Sequence, residues 1–398
     1  MRFEKGSELE SSLARTQRRL RAAGRWCARV KIQALTPLLL FALAAPGFEV
    51  ARQDYAWSFP RDHFAHRGFR TEWWYFTGHL DTESGEARRF GYQVTLFRIA
   101  LLERRPSLES DWATASVAMG HAALSDLDRK EHRFSETVVR EIPLLAEFGA
   151  APGPSIARVQ APPGTDAAWT IRWNGAGFDL EARDDSKAFR LSLTTRAAKP
   201  LALQGPNGYS RKGGSESGGS QYYSFTRLDT RGALVVDGRA YTVRGESWMD
   251  QEFGSSQLAA GQVGWDWFAL RLDDGRDLML YVLRERDGRD GFRNGTRVAK
   301  DGAPRYLAAS EWSVRARSSW TSAATRATYP SGWTIEIPSE GLSIAVEPDF
   351  PEQENVPSTP RAPTYWEGSV TVRDASGRPV GRGFVELTGY GDGNRPPV

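Results

Sequence analysis

The chain has 398 residues, enough for two domains of ordinary size with a well-buried core. Its formal charge is +3, yet residues 1–45 hold nine Lys/Arg against three Asp/Glu, leaving 43 basic and 46 acidic residues in the remainder. That remainder is mildly acidic and has no polybasic block, which excludes an ordinary nucleic-acid-binding surface.

In residues 1–45, Arg18, Arg19, Arg21, Arg25, Arg29 and Lys31 precede the apolar run Ile32–Ala45, which ends in Ala42-Leu43-Ala44. This is the grammar of an export signal, and the run, broken by Pro37, falls short of the ~20 residues of a bilayer span. The expectation is export to the periplasm or beyond the cell. The alternative is an uncleaved N-terminal segment kept as an anchor. The single cysteine, Cys27, lies in this segment, so no disulfide, thiol nucleophile or cysteine–metal site is expected beyond it.

From residue 57 onward, short runs of period-two alternation are punctuated by Gly, Asp and Asn turns. Among them are "FGYQVTLFRIAL", "FRLSLTT", "DLMLYVLR", "GWTIEIP", "LSIAVEP" and "YWEGSVTVRD". This pattern predicts an all-β fold of barrels or sandwiches. One short helix is allowed within Ser135–Gly149. Gln204–Gln221, rich in Gly and Ser, and Glu347–Trp366, with five prolines, are expected to be loops. "WWYFTGHLD" (Trp73–Asp81) aligns without gaps to "WDWFALRLD" (Trp265–Asp273), each followed by a turn and a partner strand ending in Arg. Two copies of one hairpin predict two related domains, set at 46–255 and 256–398.

Acidic residues interleave with rings in both copies. In "FRTEWWYFTGHL", Trp73, Tyr75 and Thr77 share one strand face, and Glu72, Trp74 and Phe76 share the other. "GESWMDQEFGSSQ" and "GWDWFAL" add Glu246, Asp250, Glu252 and Asp266 among Trp248, Phe253, Trp265 and Trp267. An aromatic cleft binds an apolar ligand by burial and stacking, and a carboxyl desolvated there has a raised pKa. Such an acid can protonate an alkene or hold a ligand's polar end. Glu72, Asp250, Glu252 and Asp266 are therefore the candidate catalytic residues. The bland alternatives stand beside them: Glu72 in a buried ion pair with Arg70 or a distant Lys, Asp250 and Glu252 satisfying turns, Asp266 bridged to Arg98 or Arg284, and the tryptophans as core. His63, His66 and Glu72 have suitable metal-ligand chemistry, but His-x-x-His spacing alone assigns no metal. "GESWM" and "GSESG" only approach a nucleophile elbow, and no phosphate-cradling pattern occurs.

Together "FPRDHFAHRGFRTEWWYFTGHL", "GYSRKG", "YYSFTRL", "WMDQEFGSSQL" and "GWDWFALRLDDGRDLMLYVLR" resemble the AttH/carotenoid 1,2-hydratase family of exported proteins, over nearly the whole chain beyond residue 57. The resemblance implies two tandem lipocalin-like β domains and an apolar ligand site in or between the barrels. It brings His66, Trp74, Tyr209, Tyr223, Trp248, Trp265, Trp267 and Tyr281 forward as ligand-contacting candidates. A hydrophobic small molecule is the expected partner, with envelope export machinery or a membrane surface beside it. The hydratase branch adds water to a terminal carotenoid double bond without a cofactor. This chain departs from that branch: Gln251 and Phe253 stand where it has His and Trp, and Tyr281-Val282-Leu283 where it favours Tyr-x-Asp. The preferred expectation is binding, carriage or processing of a lipid or isoprenoid, with a cofactor-free hydratase-like lyase as the alternative.

Overall fold

The computed structural model describes residues 47–391 except 214–217, 257, 260, 288, 289, 360, 361 and 363. The export signal expected over 1–45 lies outside the described residues. The alternating runs become strands and build two antiparallel sheets. The first contains β1 (Thr71–Thr82), β2 (Arg89–Ala100), β3 (Ser116–Asp126), β4 (Glu131–Arg140), β5 (Ala146–Phe148), β6 (Ser155–Gln160), β7 (Ala168–Trp173), β8 (Phe178–Asp184), β9 (Phe189–Ala197), β10 (Ala202–Leu203), β11 (Tyr209–Arg211), β12 (Gly219–Val236) and β13 (Arg239–Ser256). The second contains β14 (Gln262–Leu272), β15 (Asp277–Glu285), β16 (Asp290–Val298), β17 (Pro304–Leu307), β18 (Ser313–Thr321), β19 (Thr328–Ile337), β20 (Leu342–Pro348), β21 (Glu354–Asn355), β22 (Tyr365–Arg373) and β23 (Pro379–Thr388).

The strand orders are β4-β3-β2-β1-β13-β12-β9-β8-β7-β6-β5 and β17-β16-β15-β14-β23-β22-β20-β19-β18. Each sheet therefore places its first strand between its second and its last, and β1 and β14 are the two copies of the sequence repeat. Both sheets curl into nearly closed barrels; in the first, Thr137 of β4 donates to the Gln160 carbonyl of β6 at 2.9 Å. Alternation fills the interiors, with Trp74, Phe76, Trp169, Phe178 and Met249 in one and Phe268, Trp333, Ile335, Trp366 and Leu387 in the other.

Three local expectations change. Ser135–Gly149 forms no helix: Ser135–Arg140 pairs with β3, and Pro143 removes a donor where a helix would have to continue. Within the proline-rich stretch, Glu354–Asn355 lies between prolines and pairs with Tyr365 and Trp366. In the Gly/Ser-rich stretch, Tyr209–Arg211 and Gly219–Gln221 join the first sheet.

The barrels meet through the outer faces of β1–β3 and β21–β23. Gly91 permits the close approach: a Cβ there would stand 3.2 Å from Phe384 Cζ and 3.3 Å from Ser369 Cβ. Around it runs a buried polar belt. His79 Nε2 meets Ser369 Oγ at 2.8 Å, His121 Nδ1 meets Tyr365 Oη at 2.8 Å, and Gln93 Nε2 donates to Tyr365 Oη at 3.2 Å. Burial pushes the His121 pKa down to about 4, against the pull of Glu136.

A second joint is ionic. Lys199 Nζ donates to Asp277 at 2.6 Å and to the Ala299 carbonyl at 3.1 Å, and Arg227 Nε reaches Asp277 at 2.9 Å. Asp277→Ala strands both cations in a largely dry seam, at an expected cost of roughly 3 kcal/mol. Calorimetry is expected to show one unfolding transition for the wild type and two for this variant; identical traces refute that role.

Candidate functional site

Register decides which side chains share a face. In the first sheet Tyr75 lies opposite Asp250 and Asp250 opposite Ser224; Trp73 lies opposite Glu252 and Glu252 opposite Tyr222. In the second sheet Tyr281, Trp267, Glu386 and Glu367 stand side by side across β15, β14, β23 and β22. These two rows face each other. The rings of Tyr75 and Trp267, equivalent positions of the repeat, meet edge to face at 5.2 Å, and Trp248 meets Trp267 at 6.3 Å. By the same equivalence Asp250, opposite Tyr75, corresponds to Glu386, opposite Trp267.

The hydrogen bonds cross the seam reciprocally. Tyr75 Oη donates to Glu367 Oε1, and Trp267 Nε1 donates to Tyr222 Oη at 3.1 Å. Asp250 accepts from Tyr222 at 2.8 Å, from Trp248 Nε1 at 2.7 Å and from Ser224. Glu252 accepts from Ser220 and pairs with Lys212 Nζ at 2.6 Å. The Lys212 ammonium lies 4.7 Å over the Tyr281 ring. Among the described residues, no Lys or Arg forms an ion pair with Asp250, Glu367 or Glu386.

The electrostatics follow. Burial pushes the Asp250 carboxyl up to about 7 despite its three donors, with Glu252 adding to the rise. Burial also pushes Glu386 up to about 7, tempered by Trp265 and reinforced by Glu252 and Asp250. Burial, then Glu386, hold Glu367 well above the usual carboxylate range. Burial opposes the charge on Lys212, but Glu252 beside it wins and raises its pKa. The seam thus holds one fixed ion pair, two carboxyls that keep protons to near neutral pH, and a third, Glu367, held above the usual range. Trp73, Trp265, Phe292 and Glu386 are partly exposed and form its accessible edge.

Beyond Tyr281 lies a cavity of about 520 Å³, lined by Tyr209, Ser210, Met279, Tyr281, Asn294 and Tyr306 among others. Tyr281 closes it from the seam, donating from Oη to the Arg211 carbonyl at 2.7 Å.

Six of the sequence candidates therefore converge: Asp250, Glu252, Trp248, Trp265, Trp267 and Tyr281. Tyr209 lines the adjoining cavity. Glu72, His66, Trp74 and Tyr223 lie elsewhere, on the inward side of β1 and β12 or capping the first barrel. Glu72 is fully buried, accepting from His66 Nδ1 at 2.6 Å, the His66 backbone at 2.8 Å and Gln251 Nε2 at 2.9 Å, with Arg98 Nε at 3.5 Å. Its ionic partners are His66 and Arg98, in place of Arg70 or a lysine. Trp74 stacks on Phe148 at 5.5 Å within the core, and Tyr223 donates to Gln251 at 2.5 Å. Asp266 takes the opposite face to Trp265 and Trp267, bridged to Arg284 at 2.9 Å and accepting from Tyr390 at 2.8 Å. Sequence reasoning missed Tyr222, Lys212, Glu367 and Glu386. The available signal was a lone acid at the centre of each apolar run, "YWEGSV" and "GFVELT". Among the described residues, no group of three His, Cys, Asp or Glu is arranged to hold a metal ion.

Two curled sheets of one topology, packed around a ring-lined acidic seam, define a tandem lipocalin-like protein. The chain belongs to the AttH-like family, whose model matches residues 50–390. An AttH-like protein from Nitrosomonas europaea is 30% identical, with a TM-score of 0.76 over 86% of this chain and 100% of its own. Kievitone hydratase from Nectria haematococca shares the fold at 16% identity, with a TM-score of 0.60 over 86% of this chain and 96% of its own. No curated protein matches the sequence.

Proposed function

We propose that the protein binds an extended apolar molecule, a lipid or isoprenoid, in the seam between its barrels and acts on it by acid catalysis. The observation that carries this is the pair Asp250 and Glu386, both with pKa pushed up to about 7, set among Trp73, Tyr75, Trp265 and Trp267. A carboxyl neutral near physiological pH can protonate a carbon–carbon double bond. Protonation at a trisubstituted terminus leaves a tertiary carbocation, which aromatic faces stabilise and water captures. The proton that water then sheds restores the carboxyl, so the balance is alkene plus water to alcohol. Kievitone hydratase supports the reading only by sharing the fold; the residues are this chain's own. Export to the periplasm or beyond, with envelope machinery or a membrane surface supplying the ligand, belongs to the same proposal. Carriage without turnover is the second reading, favoured by Gln251 and Phe253 at the positions where the hydratase branch has His and Trp.

Mass spectrometry of organic extracts from the purified protein is expected to find a lipid or isoprenoid. Trp265→Ala is expected to weaken binding of all-trans-retinol about tenfold, followed by quenching of tryptophan emission. An extract free of apolar molecules, with no retinol quenching, removes the binding reading. Incubation with an acyclic carotenoid that gains no mass of water removes hydration and leaves carriage.

A further inference from the structure

Two glutamates stand directly opposite each other on β22 and β23, Glu367 against Glu386, which puts their Cβ atoms ~5 Å apart. They differ in access. Glu367 is 2% exposed, whereas Glu386 is partly open beside the partly open Trp265. They differ also in partners. Glu367 Oε1 accepts from Tyr75 Oη, while Glu367 Oε2 is buried with no hydrogen-bond partner. A buried polar atom without a partner calls for an explanation, and the residue directly across the strand pair carries a carboxyl.

Resting on the acid-catalysis reading, we infer that Glu386 is the residue that gives and recovers the proton, and that Glu367 behind it is a positioning residue that keeps its own proton throughout. With Oε1 occupied by the tyrosine hydroxyl, the proton of neutral Glu367 sits on Oε2. That O–H makes no hydrogen bond in this structure; a neutral Glu386 offers it only a weak acceptor, whereas the Glu386 carboxylate offers a strong, charge-assisted one. The pair thus stabilises the state left after transfer, where a bare buried carboxylate would resist forming. The proton moves from Glu386 to the alkene carbon, and the proton lost by the captured water returns to Glu386. The surroundings agree. Glu367 faces Tyr75 from β1, Asp250 from β13, Glu386 from β23 and Tyr365 on its own strand. Glu386 faces Asp250 and Glu252 from β13, the latter neutralised by Lys212. Burial and Glu386 together hold Glu367 well above the usual carboxylate range, which favours its neutral form.

The test is an infrared titration of the neutral carboxyl band in the full chain without ligand, with Glu386→Gln identifying the band. Glu367→Met removes the waiting donor and is expected to raise the Glu386 titration by about one unit, tenfold in proton affinity. Glu367→Gln keeps a donor at that place and is expected to stay near wild type, so rescue by the amide separates positioning from mere packing. A Glu386 titration left unmoved or lowered by Glu367→Met overturns the inference, as does a failure of Glu367→Gln to restore it. Retinol quenching in the same samples reports ligand binding separately. A coupled pair without quenching keeps the pair and loses the ligand reading; quenching with uncoupled glutamates does the reverse.

Discussion

Asp250→Ala is expected to lower stability by about 3–5 kcal/mol in urea unfolding, while Asp250→Asn costs less than about 1.5 kcal/mol. The contrast follows from convergence. Tyr222 Oη, Trp248 Nε1 and Ser224 Oγ all donate to this carboxyl in the dry seam, and alanine orphans all three. Asparagine keeps the shape and an acceptor oxygen. The same residue sets a pH slope of definite sign. Its folded pKa is about 7, above the ordinary value of 3.8, so between those values the folded state holds more protons than the unfolded one. The stability that Asp250 contributes therefore falls as pH rises from about 4 to 7, by an amount on the order of 4 kcal/mol. Glu386, also raised, slopes the same way. Buried neutral histidines such as His121 slope the other way in the same window, so the test is the difference between variants: the stability of Asp250→Asn relative to wild type should rise from about pH 4 to 7, and a difference that stays constant would refute the assignment of a neutral carboxyl.

Glu72→Ala is expected to cost roughly 3–5 kcal/mol as well, for the opposite reason. It strands His66 and Arg98, whose charges Glu72 balances, and leaves Gln251 Nε2 with only the longer bond to the Phe64 carbonyl. Burial opposes ionisation of Glu72, but His66 and Arg98 outweigh it and lower its pKa. Its contribution is thus present above the ordinary glutamate pKa and lost as pH falls through the depressed value. Burial likewise opposes charge on His66, and Glu72 and Asp62 outweigh it, so its share is present below about pH 6.5 and lost as pH climbs through the raised value. Denaturation at about pH 3, 6 and 9 should therefore show the largest gap between wild type and Glu72→Gln at the middle value. Retinol affinity should stay unchanged, because Glu72 belongs to the face of β1 turned away from the seam. A variant that folds normally but loses retinol would return Glu72 to the binding site.

These two residues show how far the sequence was legible. Alternation and the Trp73/Trp265 repeat read directly as paired barrels, because each strand buries at least one regular face. Within β1 the division of Glu72, Trp74 and Phe76 from Trp73 and Tyr75 was also visible. Which face meets the other barrel was not, since both faces are apolar and both are buried. Only the pairing of Tyr75 with Asp250 and of Trp74 with Gln251 settles it. Glu367 and Glu386 escaped notice because a lone acid in an apolar strand reads as its solvent face. Their strands had to be paired before they became neighbours. Lys212 was hidden differently: flanked by Gly and Ser, it read as part of a loop, yet its ammonium is the seam's buried cation.

The chain passes between its two sheets once, between Ser256 and Gln262, and no strand of one pairs with a strand of the other among the described residues. Beyond that link the halves are held by contacts that involve side chains, chiefly Tyr75 to Glu367, His79 to Ser369 and Lys199 to Asp277. On the proposed function, the width of the seam would accordingly be set apart from the integrity of either wall. Substitutions at those few struts would then alter the seam, and with it the size of the molecule proposed to bind there, with every ladder of backbone hydrogen bonds left whole.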